Sequence, residues 1–152
     1  MATHTASVIW ERPQDARFTD NRYSRAHRWE FDGGAVVPAS SAPSVVPVPQ
    51  SDPAGVDPEE AYVASLSSCH MLWFLFYAAK GGFVVDSYRD GVVGHMEKNE
   101  EGGQWMSRVE LHPQIAFTGT VPDAGTLAAM HDQAHHACFI ANSVKTVVTV
   151  GS

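Results

Sequence analysis

The stretch DPEEAYVASLSSCHMLWFLFYAAKGG, residues 57–82, predicts the central element of the fold. Asp57 is a helix N-cap residue, and Glu60, three positions later, completes a capping box. Lys80 suits the last helical turn, and the two glycines that follow it are typical of a helix end. The sequence therefore predicts one long helix over Pro58–Lys80, about 35 Å long at 1.5 Å per residue.

The second half of this helix, residues 71–79, is apolar on every face, which is typical of a buried central helix. The apolar run is interrupted upstream by four polar residues, Ser65, Ser67, Ser68 and His70. What remains is shorter than the ~20 residues that a membrane-spanning helix needs. We therefore expect a core helix and no membrane partner.

Strand and turn signals divide the rest of the chain. Predicted strands cover residues 4–10, 24–32, 35–37, 83–98, 105–118 and 145–150, with a bulge at Gly91 or Gly94. Residues 38–57 are too rich in proline for helix or central strand and predict an extended, packed surface loop. Asp123 predicts the cap of a second helix that runs to about Asn142.

The element order β-β-α-β-β-α-β predicts an α+β fold, with two core helices packed against antiparallel strands. The length of 152 residues suits a single domain over residues 1–152. Ten basic residues against 17 acidic ones give a net charge of −7, so we expect no nucleic-acid partner.

The chain contains two cysteines, Cys69 and Cys138, too few for a disulfide scaffold. Residues 1–10 have no charged and apolar segments of a signal peptide, so we expect a cytoplasmic protein with reduced thiols. Each cysteine lies on the apolar stripe of its predicted helix and should face inward. They are either a functional pair, if the helices bring the sulfurs together, or two structural core residues.

A cysteine in the middle of a helix has no activating group of its own. Cys69 is far from the helix N-terminus, and its neighbours one turn away carry no positive charge. A reactive Cys69 needs a cation from elsewhere in the fold. The candidates are Arg22, Arg25 and Arg28, which the predicted second strand carries together.

Three residues of the second helix allow a different hypothesis. His131, His135 and Cys138 share one helix face and, with Cys69 as a fourth ligand, have the side chains of a zinc site. His136 is turned about 100° from His135 and should face solvent.

Two segments resemble the OsmC/Ohr family of thiol peroxidases. DPEEAYVASLSSCHML, residues 57–72, resembles the family's first cysteine helix, and AHHACFIANS, residues 134–143, resembles its second cysteine motif. Residues 82–88 and 109–113 are similar to the family's connecting strands. The resemblance extends from about residue 23 to residue 147.

The resemblance implies an OsmC-like fold and an intertwined homodimer with active sites at the interface. It implies reduction of organic hydroperoxides, with hydrogen peroxide a further candidate, by a cysteine pair without metal or flavin cofactor. Cys69 corresponds to the peroxidatic cysteine and Cys138 to the resolving cysteine. Glu59 corresponds to the family's helix glutamate and Arg25 to its N-terminal arginine, with Arg22 and Arg28 left open.

Glu59 lies ten residues before Cys69, about 15 Å along a continuous helix, so it cannot touch Cys69 of its own chain. We expect Glu59 to orient an arginine across the dimer interface.

Phe139-Ile140-Ala141 after the second cysteine places the chain nearer the OsmC-like branch. The reductant candidates are a small dithiol and a lipoylated protein. The alternative is a non-catalytic dimer of the same fold that senses redox state or binds metals or thiols.

Overall fold

A computed structural model describes residues 1–151 of the chain, which divide into two compact units, Met1–Ala61 and the residues from Tyr62 onward. In chain order the elements are β1 (Ala6–Ile9), β2 (His27–Phe31), β3 (Val36–Ala39), α1 (Pro58–Lys80), β4 (Val84–Asp90), β5 (Val93–Lys98), β6 (Gln104–Leu111), β7 (Pro113–Thr118), α2 (Ala124–Ala137) and β8 (Val147–Val150). The predicted α+β class, with two helices and mainly antiparallel sheets, is confirmed.

The first unit contains an antiparallel sheet in the order β1-β2-β3. Strand β2 is shorter than predicted, so only Arg28 lies on it, and the prediction is wrong for Arg22 and Arg25. The chain before β2 is held by local bonds instead. The Ser24 carbonyl accepts from Trp10 Nε1 at 2.8 Å, and its hydroxyl accepts from the Ala26 N–H at 3.2 Å. Such side-chain bonds compete with a sheet ladder.

The proline-rich loop after β3 is held by polar and backbone contacts, and the prediction that it packs through its valines is wrong for Val45 and Val48, which are exposed. The Ser40 side chain is fully buried, and its Oγ accepts the Asp52 N–H at 2.9 Å. An isolated parallel bridge joins Ala39 to Val56 at the end of the loop. These bonds hold the two ends of the loop together, just before Asp57, the N-cap residue of α1.

Helix α1 has the predicted bounds because its N-terminus is capped reciprocally. The Glu60 N–H donates to Asp57 Oδ1 at 2.7 Å, and the Asp57 N–H donates to Glu60 Oε2 at 3.1 Å. Further along the helix, every fourth residue is buried: Leu66, His70, Phe74 and Ala78.

The prediction that α1 is buried on all faces is wrong for this chain. Leu72 is 61% exposed and Phe76 51% exposed, because the second unit packs against one side of the helix only. By length and composition alone, α1 is also long and apolar enough to cross a membrane.

In the second unit, each of the two long strands predicted from the sequence forms two separate strands. Residues 83–98 form β4 and β5, and residues 105–118 form β6 and β7; β4 pairs with β7, while β5 pairs with β6 in another sheet. Both strands bend at one place, where Asp90 Oδ1 accepts the His112 N–H at 2.6 Å. The sheets are also not antiparallel throughout, because β8 runs parallel to β6.

Two apolar clusters form the core of the second unit. Phe74 and Ala78 of α1 pack with Met130 and Ala134 of α2, and Leu66 of α1 packs against β6. Gly94 allows β5 to pass close to α1 and β6: a Cβ there would lie 2.5 Å from Val63 Cγ1 and 2.6 Å from Met106 Sδ.

Helix α2 begins as predicted and ends five residues early. Asp123 Oδ1 accepts the Thr126 N–H at 2.7 Å, which confirms the predicted cap. The helix stops at Ala137 because Cys138 is extended, with ψ 112°. The side chain of Asn142 folds back to donate to the His136 carbonyl at 3.0 Å, which satisfies a terminal carbonyl in place of another helical turn.

Candidate functional site

The structure brings the two cysteines of the second unit together. Cys69 lies in the middle of α1 and is partly buried, and Cys138 forms the C-cap of α2 and is 1% exposed. Both thiols are free, and the Cys69 side chain lies near enough to Cys138 to raise the pKa of its thiol. The inward-facing positions predicted from the sequence therefore place one cysteine of α1 next to the cysteine that caps α2.

Burial decides the protonation state of Cys138. It raises the pKa of the Cys138 thiol to about 11, and the hydrogen bond with Cys69 acts in the same direction. The Ala141 N–H, whose nitrogen lies 3.4 Å from Cys138 Sγ, opposes this only in part. At neutral pH Cys138 is therefore a thiol, whose S–H can donate to the Cys69 sulfur.

Aromatic side chains lie next to the thiol pair along both chain segments. Trp73 follows Cys69 by one helical turn, and Phe139 directly follows Cys138. The two rings meet edge to face, with centroids 5.5 Å apart. Trp73 also contacts Phe76, at 5.6 Å between ring centroids. Phe139 is 68% exposed, so this aromatic cluster is open to an apolar molecule.

The predicted cation, Arg25, lies in the first unit. Its guanidinium is centred 3.6 Å from the Tyr23 ring and donates to Asn21 Oδ1 at 3.0 Å and to the carbonyls of Asn21 and Tyr23. All of these partners are neutral. Within residues 1–151, no carboxylate forms an ion pair with Arg25.

The other two arginines differ from Arg25. Arg28 forms an ion pair with Glu30 at 2.8 Å, and this hydrogen bond raises the pKa of the guanidinium. Arg22 lines the same surface pocket as Arg25, and its backbone N–H donates to Asp20 Oδ1 at 3.0 Å. The charge of Arg28 is thus already balanced, whereas that of Arg25 is not.

Glu59 is in the first turn of α1 and is partly exposed. In the described part of the chain its carboxylate has no ion pair or side-chain hydrogen bond, and none of the three arginines binds it. Helix α1 runs without a break from Glu59 to Cys69, which leaves them about 15 Å apart along the axis. The expected contact across a dimer interface stays a prediction.

A histidine pair that the sequence analysis missed lies beside the thiols. His70, which follows Cys69, is 1% exposed, and its Nε2 lies 3.0 Å from His131 Nδ1 of α2. Burial lowers the pKa of His70 to about 4, with His131 and His135 adding to the effect. The only signal was the spacing of His70 four residues after Leu66 and four before Phe74.

The histidine face of α2 does not have the arrangement that the zinc hypothesis requires. In residues 1–151, no three His, Cys, Asp or Glu side chains lie close enough together to hold an ion. His131 is bonded to His70, and Cys138 turns to Cys69. His136 is exposed, as predicted.

A cysteine from each of two helices, packed with antiparallel sheets, defines the class of protein to which the sequence pointed. The chain belongs to the OsmC family: the family model described as OsmC-like protein matches residues 50–152. No curated protein matches the chain.

Solved structures share the fold over almost the whole chain. An OsmC-like protein of unknown function from Vibrio cholerae is 54% identical, with 99% of each chain covered and a TM-score of 0.97. An organic hydroperoxide resistance protein from Legionella pneumophila is 15% identical, with 100% of this chain and 98% of that chain covered and a TM-score of 0.71. The organic hydroperoxide resistance protein of Bacillus subtilis is 15% identical, with 98% of this chain and 95% of that chain covered and a TM-score of 0.63.

Proposed function

We propose that the protein is a cytoplasmic thiol peroxidase that reduces organic hydroperoxides through Cys69 and Cys138. The observation that carries the proposal is the contact between two free thiols, one from each helix. The names of the Legionella and Bacillus structures, which refer to organic hydroperoxide resistance, support the same substrate class.

The different burial of the two cysteines supports the assignment of their roles. Cys69 is the more accessible, and burial keeps Cys138 protonated. The Cys69 thiolate attacks the distal oxygen of the hydroperoxide, the O–O bond breaks, and the departing alkoxide takes a proton to become an alcohol. Cys69 is left as a sulfenic acid, oxidised by two electrons.

Cys138 then closes the cycle. Its sulfur attacks the sulfenic sulfur, water leaves with the Cys138 proton, and a Cys69–Cys138 disulfide forms. An external dithiol, either a small molecule or a lipoyl group on a protein, supplies two electrons by thiol–disulfide exchange. The influence of the Cys69 side chain on the Cys138 thiol supports this step, because it shows that the two cysteines are neighbours within one chain.

Arg25 is the best candidate for the cation that favours the Cys69 thiolate. Its guanidinium is bound only by neutral groups, so its charge can stabilise an anion, whereas Arg28 is neutralised by Glu30. We propose that Glu59 positions this arginine across the interface of a homodimer. The pH dependence of Cys69 alkylation tests both residues: Arg25→Ala and Glu59→Gln should shift the profile to higher pH, while Arg28→Ala leaves it in place.

The exposed apolar face of α1 supports the homodimer. Leu72 and Phe76 are exposed large hydrophobic side chains on the same helix, and such patches mark association surfaces. A membrane is the poorer partner, because polar groups of the same helix are bonded inside the protein. Ser67 Oγ donates to Asp90 Oδ2, and His70 bonds to His131. Sedimentation should give twice the chain mass, and Phe76→Glu should reduce it to 16.5 kDa.

The intact mass of the chain tests the chemistry. One equivalent of cumene hydroperoxide should remove two hydrogens from the reduced protein, and Cys138→Ala should instead retain an added oxygen. Dithiothreitol should sustain hydroperoxide consumption by the wild type and not by Cys69→Ser. Full turnover by Cys69→Ser would exclude the proposal, and a single oxidation without turnover would indicate the redox-sensing dimer instead.

A further inference from the structure

A second candidate binding site lies on α2, apart from the thiol pair. A cavity of about 530 Å³ in the second unit is lined by α2, by the start of β7 and by β8. Neither cysteine lines it. Its volume is in the range of about 300–1,000 Å³ that is typical of pockets for small organic ligands.

The walls of this cavity are mainly apolar. Leu127 of α2, Pro113 of β7 and Val148 and Val150 of β8 contribute hydrophobic surface. Such a lining favours the hydrocarbon part of a ligand. The polar groups come from α2, where His131 and His135, one helical turn apart, also line the cavity.

The buried His70 determines which atom His131 offers to the cavity. His131 Nδ1 is bonded to His70 Nε2 at 3.0 Å, so the ring nitrogen left for the cavity is Nε2. His70 Nδ1 is buried without a partner among residues 1–151. A buried orphan N–H is rarer than an orphan acceptor, which favours the proton of His70 on Nε2.

With that proton, His70 donates to His131 Nδ1, and the neutral His131 ring must carry its own hydrogen on Nε2. His131 is neutral because burial lowers its pKa. His131 lines the cavity, and Nε2 is the ring nitrogen that its bond to His70 leaves for a ligand. The cavity therefore presents the uncharged N–H of His131, with the His135 ring one helical turn away, next to an apolar wall.

The charges near the cavity disfavour an anion. Asp132 also lines it, with its carboxylate turned to the exposed His136 at 3.5 Å. Asp90 faces the His70–His131 pair from β4 with a second negative charge. The chain as a whole carries −7, so a carboxylate ligand would meet repulsion.

We propose that this cavity binds a small uncharged amphiphile, an aliphatic chain that carries a hydroxyl or carbonyl oxygen. The chain lies against Leu127 and the two β8 valines, and the oxygen accepts from His131 Nε2. The site does not depend on the peroxidase proposal, because it uses neither thiol.

The experiment is a titration of the full chain, with ¹⁵N-labelled histidine, by 1-octanol. His131 Nε2 should show a saturable chemical-shift change. Ala128→Phe should abolish it by filling the mouth from an exposed lining position, and Ala124→Phe serves the same purpose if that variant fails to fold. The matched control is Ala129→Phe, one residue along α2, outside the cavity lining, which should bind as the wild type does.

Octanoate distinguishes the uncharged class from a fatty-acid anion and should bind at least tenfold more weakly than octanol at pH 7. Equal binding of both probes, unchanged binding by Ala128→Phe, or no saturable change in the wild type would each overturn the proposal. If the wild type does not bind octanol and the Ala128→Phe variant sediments with half the wild-type mass, this face is a subunit contact. That result would also overturn the proposal.

Discussion

Replacing His70 with glutamine should make the protein less sensitive to acid. The His70 side chain is 1% exposed and its pKa is lowered from 6.5 to about 4, chiefly by burial, so the folded state resists its protonation. The unfolded chain takes up this proton as the pH falls through 6.5, and the folded chain does so only near 4. The stabilising contribution is therefore complete above pH 6.5 and is lost between about pH 6.5 and 4.

The magnitude follows from the two pKa values. Between pH 7 and pH 5, His70 alone should lower the free energy of unfolding by about 2 kcal/mol, and the full loss below pH 4 is about 3 kcal/mol. Glutamine removes the titration while keeping an N–H near the position of Nε2, where it can still donate to His131 Nδ1. His131, His135 and Asp90, which face His70, remain in both proteins.

Urea unfolding followed by tryptophan fluorescence, at pH 7, 6 and 5 and at one protein concentration, measures the effect. The wild type should lose about 2 kcal/mol more than His70→Gln over this range. His136→Gln is the matched control, because His136 is exposed on α2, the helix that carries His131, and this variant should behave as the wild type. Parallel losses in wild type and His70→Gln would refute the reasoning.

Two further predictions concern the elements that position the thiols. Gly94→Ala should cost about 1–3 kcal/mol in urea unfolding, since its Cβ would overlap Val63 and Met106, while Gly91→Ala, which meets no atom within 4 Å, should be nearly neutral. Equal effects at the two glycines would contradict this. Asp57→Ala should cost about 1 kcal/mol by loss of the α1 cap, and Asp57→Ser should restore most of it; a serine variant as unstable as alanine would argue against capping.

The sequence predicts α1 correctly because its signals are local. Asp57, Glu60 and Lys80 mark its ends by capping and charge, without help from distant residues. The divided strands depend on a distant contact, the bond between Asp90 and the His112 N–H, which leaves no trace in the alternation of apolar residues. The periodicity also predicts too long a helix α2, because Cys138 and Ala141 keep the apolar spacing although the backbone is already extended at Cys138.

The candidate site is likewise predictable from the sequence only in part. Helical periodicity was enough to predict that Cys69 and Cys138 face inward, and their meeting requires only that the two helices pack. The His70–His131 pair was not predictable, since one histidine among leucine and phenylalanine at helical spacing looks like an ordinary core residue. Only the position of α2 shows that a second ring lies 3.0 Å from it.

The proposed peroxidase chemistry requires a reactive Cys69 thiol in a place that disfavours charge. Burial favours neutral forms on both helices: it keeps Cys138 a thiol and His70 uncharged. His70 and Cys138, the two groups described beside Cys69, therefore supply no positive charge. A cation must come from another element, and Arg25, held by aromatic and amide groups rather than by a carboxylate, keeps its charge available. If the proposed function is correct, Arg25 in the N-terminal segment should therefore decide how fast Cys69 reacts.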